Sequence, residues 1–331
     1  MELVSDGIIN HLSDTSWRIM LESRLLERIE RKKAQLDVLR PLPAAIVKRL
    51  REQILVEWIY NSNAIEGSTI TLQETRLILE TGLTIGGKTL REHFEVTNHR
   101  DAIQYVEQLV ADQEKITPFH IRQIHKLVLS QIDDISAGNY RTTQVQIAGA
   151  RHVPPEAWEI PAQMTEWGKW LTNAEKSIHP VILAALTHHR LVNIHPFVDG
   201  NGRTARLAMN LILMQNGYPP TVILRTDRQS YYRVLSLADA GKEKALINFV
   251  GKAVERSLTL YLNASKKQTA KSSRDAEWIS LADAAQGTPY SQEYLSLLAR
   301  MGRIEAVKQG RNWLTTRDAI SNYIKTLSKG K

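Results

Sequence analysis

The sequence predicts a mainly α-helical protein in two parts: a long helical body with one small β-hairpin, and a short basic C-terminal domain of helices and a second hairpin. Three observations carry that prediction. Apolar residues recur at helical spacing over most of the first 264 positions, as in Leu21, Leu25, Leu26 and Ile29. Two runs, Pro180 to Leu186 and Leu207 to Met214, are too continuously apolar for surface helices and read as buried ones. Charge is uneven, with residues 266–331 carrying net +6 of the chain's +8 and the first 265 only +2. A chain of 331 residues is long enough for two or three domains. The expected division is an N-terminal helical region over 1–110, a core over 111–264, a linker over 265–274 and a small domain over 275–331.

Residues 1 to about 60 read as helical, interrupted at Pro41 and Pro43. A helix from Ala44 to about Tyr60 places Ile46, Leu50, Ile54, Leu55 and Ile59 on its apolar side, and Asn61 to Gly67 then reads as a helix end with Gly67 as the stop signal. Thr71 and Glu74 form a capping box for a further helix, with Gly82 and Gly86-Gly87 marking the loop behind it. Phe94, Val96, Ala102, Ile103, Val106 and Leu109 support a long amphipathic helix. Thr117-Pro118 pairs an N-cap with proline at the first helical position, ahead of Ile121, Ile124, Leu127 and Val128. After the turn-forming Ala137-Gly138-Asn139, the alternating stretch Thr142 to Ala148 predicts a strand, and Gly149 to Pro155 turns it into an exposed hairpin. Gly217 to Pro220 ends a central helix, and Asp227 begins another that carries Tyr231, Tyr232 and Asp239.

The polar, small-residue stretch Ser265 to Arg274 has linker composition. Beyond it, Ser280 to Ala285 predicts a short helix, Gln286 to Pro289 a turn, and Ser291 caps a helix running to Met301-Gly302. Residues 304–315 read as a hairpin with Gly310 and Arg311 at its tip, and Thr316 caps a last helix.

Composition narrows the functional classes. No uninterrupted apolar run of about eighteen residues is present, so a membrane span is not expected. The first residues, including Glu2, Asp6 and His11, lack the basic-then-apolar pattern of a leader. With zero cysteines there is neither disulfide nor thiolate metal site, which fits a cytoplasmic location.

The chemistry is concentrated between the two apolar runs, in Asn193-Ile194-His195-Pro196-Phe197-Val198-Asp199-Gly200-Asn201-Gly202-Arg203-Thr204-Ala205-Arg206. Gly200 and Gly202 flank Asn201, allowing the backbone to turn N–H groups inward at a helix N-terminus, a setting that suits a phosphate. Arg203 and Arg206 lie three apart in the first helical turn and share a face. Asp199 is a hard oxygen ligand of the kind Mg²⁺ takes. His195 is a group that can accept a proton near neutrality.

His195-Pro-Phe-x-Asp-Gly-Asn-Gly-Arg-x-x-Arg206 resembles the signature of the Fic family at every defined position, and that resemblance implies a Fic-type helical core transferring AMP from Mg-ATP to a hydroxyl of a target protein. It implies His195 as general base, Asp199 as Mg²⁺ ligand, Gly200, Asn201, Gly202 and Arg203 around the phosphates, and Arg206 on the γ-phosphate. Gly202 matters for the chemistry, since the related Doc branch, which phosphorylates, has lysine there. Ser62-x-x-x-Glu66-Gly67 is similar to the family's inhibitory motif, which implies that Glu66 competes with the γ-phosphate for Arg206; the physics is that one guanidinium fork cannot serve two anions. The hairpin, with Val145, Ile147, Gly149 and His152, corresponds to the family's flap, which implies alignment of the target's extended backbone by strand addition. Tyr231, Tyr232 and Asp239 fall where the family contacts the nucleoside, with Asp239 a departure from the usual Asn. Self-modification is expected, and a homodimer is left open.

Gly200 to Ala205 also fits a dinucleotide fingerprint, with Asp227 about twenty residues on, but that fingerprint needs a preceding strand, which His195-Pro196 does not make. His188, His189 and His195 lack the partners of a zinc motif. The C-terminal domain resembles an excisionase-type winged helix. This supports a rival reading, a DNA-binding regulator with a sensing or inactive core, using Gln292 to Arg300 for recognition and Arg311 on the wing.

Overall fold

The computed structural model describes residues 20–147, 149, 152–272, 278–310 and 312–328. The chain divides into two compact units, with the boundary after Ser265.

The first unit contains α1 (Ser23–Val38), α2 (Ala44–Glu66), α3 (Leu72–Thr81), α4 (Leu90–Ala111), α5 (Pro118–Leu129), α6 (Ile160–Ala174), α7 (Pro180–Ile194), α8 (Asn201–Gln215), α9 (Arg228–Asp239) and most of α10 (Lys244–Ser272), whose last turns pass the boundary. Its centre is the pair α7 and α8. Every residue from Val181 to His189 is buried, as is every residue from Arg203 to Leu213, so these helices are surrounded on all sides. Ala184, Ala185, Ala205 and Ala208 are fully buried, and such small side chains let helix axes approach. Removing a buried branched side chain here, as in Leu211→Ala, costs about 2–5 kcal/mol. One apolar cluster extends from Leu21 to Ala264, so the expected N-terminal region and core share a single interior.

Local signals place the helix starts. The Thr71/Glu74 capping box is formed, and a second box, Thr89/Glu92, opens α4 ahead of Phe94. Thr117 and Pro118 start α5. Three expectations are corrected. The second helix continues past Tyr60 to Glu66, because Asn61, Ser62 and Asn63 are not a polar exit but buried side chains bonded to other parts of the fold. Gly67, at φ 111°, closes that helix with Ser68 N–H on the Asn63 carbonyl and its own N–H on Ala64, a Schellman arrangement that the missing Cβ permits. The Thr142–Ala148 strand is not formed among the described residues. Instead, side chains tie the two arms: Arg141 donates to the Thr143 and Pro155 carbonyls, and Gln144 donates to Pro154. Lastly, α10 continues to Ser272, through most of the stretch expected as a linker. Expectations for residues 1–19, Ala148, 273–274 and Arg311 lie outside the described residues.

The second unit contains β1 (Ile279–Ser280), α11 (Leu281–Ala285), α12 (Gln292–Arg300), β2 (Ala306–Gln309), β3 (Asn312–Thr315) and α13 (Arg317–Ser328). Ser291 and Thr316 cap their helices as expected, and Ser280, expected within the first short helix, is its N-cap. The hairpin gains a strand the sequence did not disclose: β1 pairs antiparallel with β3, giving the order β1-β3-β2. A two-residue strand carries too few positions to show alternation. Leu281, Leu295, Leu298, Ile304 and Ile320 form this unit's own small core. No helix among the described residues is long and apolar enough to cross a membrane.

Candidate active site

The packing of α7 against α8 presents the connecting loop, residues 195–200, at one end of the buried pair. His195 ends α7 in the left-handed region, at φ 50° and ψ 57°. A non-glycine residue there costs of order 1 kcal/mol or more, and such strain is held only where neighbours over-determine it. Here Arg141, itself buried, donates through Nε to the His195 carbonyl at 2.9 Å and through its backbone N–H to the Pro196 carbonyl at 2.9 Å. The His195 ring donates from Nδ1 to the Val192 carbonyl at 3.3 Å, which leaves Nε2 as the proton acceptor. Burial pushes its pKa below the usual imidazole value, against the opposing pull of that hydrogen bond, so the ring is neutral at physiological pH.

Gly200, at φ 75°, caps α8. The Asn201 side chain accepts from Phe197 N–H at 3.0 Å and donates to the Phe197 carbonyl at 2.8 Å, so it staples the loop and offers an incoming anion only its backbone N–H. His125 supports the same loop from α5. It accepts the Gly138 N–H on Nδ1 at 3.0 Å, so Nε2 carries the proton donated to the Asp199 carbonyl at 2.9 Å, and its ring stacks on Phe197 at 3.6 Å. Burial lowers its pKa to about 4, which keeps that tautomer neutral.

Asp199 accepts the Gly200 N–H at 2.6 Å and pairs with Arg91, with Arg203 at 3.5 Å. Burial opposes its ionisation, but Arg203, the Gly200 N–H and Arg91 prevail and hold the carboxyl below its usual range. Arg203 is buried between Asp199 and Glu95, the latter at 3.3 Å, while burial raises the Glu95 pKa despite Arg203 and Arg91. A single half-exposed carboxylate, already paired with Arg91 and Arg203, fits Mg²⁺ that would arrive on phosphates and keep much of its own water, not a metal enclosed by protein. Among the described residues, no group of three or more His, Asp or Glu is placed to enclose an ion.

Arg206 is buried and gripped from three directions. Nε donates to the Ser62 hydroxyl at 3.0 Å, Nη2 to the Ser62 carbonyl at 2.8 Å, and Nη1 to the Tyr231 hydroxyl at 3.5 Å. Glu66 completes the set, with Oε1 2.7 Å from Nη2. Burial disfavours the charge, yet Glu66 and Tyr231 raise the Arg206 pKa above its already high value. The Glu66 carboxylate also lies against Gly202, where a Cβ would meet its Oε1 at 2.3 Å. A side chain at 202 would therefore expel Glu66. With glycine there, an internal carboxylate sits at the first turn of α8, where free N–H groups and the helix dipole favour an anion.

The end of α2 is pinned from outside. Asn63 donates to the Glu95 carbonyl at 3.0 Å, Asn61 accepts the Arg225 N–H at 2.8 Å, and Arg228 donates to the Ile65 carbonyl at 2.8 Å.

Of the pair expected at the nucleoside, Tyr231 is turned inward. This residue is 1% exposed, with its hydroxyl hydrogen-bonded to His188 at 2.8 Å and facing Arg206, so its ring has no face open to a base. Burial raises its pKa to about 12 and lowers that of His188 to about 3. Tyr232 is 40% exposed and stays at the mouth. Asp239 accepts from His189 at 2.9 Å and from Asn193 at 3.4 Å, an arrangement that braces α9 against α7. In the flap region, Val145 and Ile147 are half-buried and Gly149 is exposed, while His152 is hydrogen-bonded to the Asn193 carbonyl at 2.8 Å, two residues from His195. Sequence reasoning did not select Arg141, His125, Glu95 or Arg91. His125 sits on the apolar side of α5, where a histidine reads as core, and the others carry no motif.

A buried guanidinium under a glycine-lined helix N-terminus, with a neutral histidine at its rim, sets an anion-favouring recess beside a proton acceptor. The chain belongs to the Fic/DOC family, whose model matches residues 115–213. It is 42% identical over 244 residues to Protein adenylyltransferase Fic of Nematostella vectensis, covering 73% of this chain and 56% of the relative, and 39% identical over 246 residues to the Drosophila melanogaster protein of the same name, covering 74% and 49%. The chain thus spans about half the length of the curated relatives it matches. Among solved structures, a Fic domain containing signaling protein from Bacteroides thetaiotaomicron superposes with a TM-score of 0.69 at 31% identity, covering 72% of this chain and 98% of that one. Fic-1 from C. elegans gives 0.68 at 33%, covering 74% and 73%.

Proposed function

We propose that this protein is an adenylyltransferase that transfers AMP from ATP to a hydroxyl side chain of a protein, and that Glu66 restrains it. The observation that carries the reading is the Glu66 carboxylate, 2.7 Å from Arg206 and seated over Gly202, where it stands in for a terminal phosphate oxygen. His195 Nε2 takes the proton from the attacking hydroxyl. The N–H groups opening α8 stabilise charge on the phosphate under attack, each such donor contributing on the order of 3 kcal/mol in transfer reactions. Arg206 and Arg203 orient the departing pyrophosphate, and Tyr232 lies at the nucleoside end. Asp199 would hold Mg²⁺, which supplies charge neutralisation to the phosphates. The curated relatives named as adenylyltransferases support this reading.

The test is transfer of labelled AMP, including self-modification, at equal ATP. Glu66→Gly should be faster than wild type, and adding Arg206→Ala should remove the gain. Equal rates for wild type and Glu66→Gly would reduce Ser62 to Gly67 to an ordinary helix end.

The basic second unit, read as a winged helix, supports a binding role. The solvent side of α12 carries Tyr294 and Leu297, with Met301 just beyond its end 60% exposed, a surface better suited to protein than to a phosphate backbone.

A further inference from the structure

Away from the phosphate cradle, a groove of about 780 Å³ runs between α9 and α10. Helical periodicity builds its walls. Ser230, Arg233, Val234 and Leu237 recur at i, i+3, i+4 and i+7 on α9. Along α10, Lys244, Asn248, Lys252 and Arg256 form one row, and Ala245, Phe249 and Ala253 form the row beside it. At 1.5 Å per residue the longer row spans about 18 Å. Other faces of α9 send Tyr231 to Arg206 and Asp239 to His189, so a single helix borders both the groove and the candidate site.

The charge of the groove is unbalanced. Arg233, Lys242, Lys244 and Lys252 are exposed and have no ion-pair partner among the described residues. Of the two lining acids, Asp227 is 3.6 Å from Arg256. The floor between the cations is apolar, made by Val234, Leu237, Phe249 and Ala253. A free phosphate or nucleotide does not suit this layout, because the cations are strung along the rim and converge on no point, and duplex nucleic acid has no side chain to fill an apolar floor. An acidic segment with interspersed apolar residues matches both features, each cation facing a carboxylate and the floor taking the apolar side chains.

We infer that the groove is a docking site for an acidic, amphipathic segment of the acceptor protein. The identity of the partner as acceptor rests on the adenylyltransferase reading. Docking here would supply the side-chain selectivity that main-chain pairing at the flap lacks.

The probe is a fluorescein-labelled 18-residue peptide with glutamates along one side and leucines at every third or fourth position, titrated by anisotropy into the full chain carrying Glu66→Gly. Binding should weaken roughly tenfold or more when Lys244→Glu and Lys252→Glu are added, and should fall with salt as exposed charge pairs do. Peptides with glutamine for glutamate, or serine for leucine, should bind less well. Self-modification should proceed at the same rate in both proteins, showing that the cleft is intact. Should the reversal impair folding, Lys244→Gln with Lys252→Gln gives a milder form of the same loss. Equal binding by parent and variant, or by the glutamine peptide, overturns the site, and undiminished binding of the serine peptide reduces it to an ionic patch and overturns the docking role. Peptide binding without any self-modification by Glu66→Gly would overturn the enzyme reading alone.

Discussion

The two sides of the catalytic cleft are built differently. On the nucleotide side, the end of α2 is fixed by Asn61, Asn63 and Arg228, and its Ser62 and Glu66 close on Arg206 with contacts of 2.7 to 3.0 Å. On the side expected to meet the acceptor, residues 142–147 form no strand among the described residues and are held at the base by Arg141 and Gln144. The difference teaches where regulation and recognition reside. On the proposed reading, the nucleotide side already holds an internal carboxylate, and the acceptor side would be completed by an incoming chain.

The largest effect that would test this contrast concerns the residue between the two sides. In the Glu66→Gly background, His195→Ala should lower AMP transfer by about 10²- to 10⁴-fold while nucleotide affinity, measured by calorimetry, stays near the parent value. The same parent should keep its activity below pH 6.5. His195 acts only when neutral, and because burial depresses its pKa, the acid limb of the rate profile falls below the ordinary imidazole range. A limb at or above that range would contradict the burial argument.

A smaller effect should appear at the open edge. Successive residues of an extended segment point their N–H groups to opposite sides, so of Val145→Pro and Gln146→Pro only one removes an N–H needed for strand addition. That variant should slow self-modification of Glu66→Gly by roughly five- to tenfold, the worth of about one hydrogen bond, with alanine at both positions nearly silent. Equal losses from both prolines would show that the flap acts through side chains. The smallest effect lies at the closed side. Arg228→Ala frees the last carbonyls of α2, and the wild-type enzyme should gain activity by about two- to fivefold through loss of one charge-assisted cap, read as labelled AMP per minute.

The sequence disclosed what depends on local pattern: the helices, their caps, and the loop whose glycines and arginines are adjacent along the chain. The contact of Glu66 with Arg206 was legible only through resemblance, because Asn61 to Gly67 taken alone reads as a helix end. The supports were hidden because they are made by distance in sequence. Arg141 holds the His195 carbonyl across 54 positions and His125 holds Asp199 across 74. Burial likewise decides Tyr231 against Tyr232, neighbours of one residue type that no periodicity separates into core and rim. The flap failed for a related reason: alternation shows that a segment can pair, and a ladder forms only when a partner is present.

The buried guanidinium of Arg206 ties the protein's stability to its occupancy. Without Glu66, Ser62 and Tyr231 still orient the group, but its charge is left in the interior with no counter-ion, a condition that costs several kcal/mol in buried pairs. Any anion that restores the balance binds the folded state alone and stabilises it in proportion to the logarithm of its concentration. On the proposed reading, the wild-type chain carries its stabilising ligand covalently, and a chain lacking Glu66 would draw the same support from nucleotide, so that its fold would report how much ATP surrounds it.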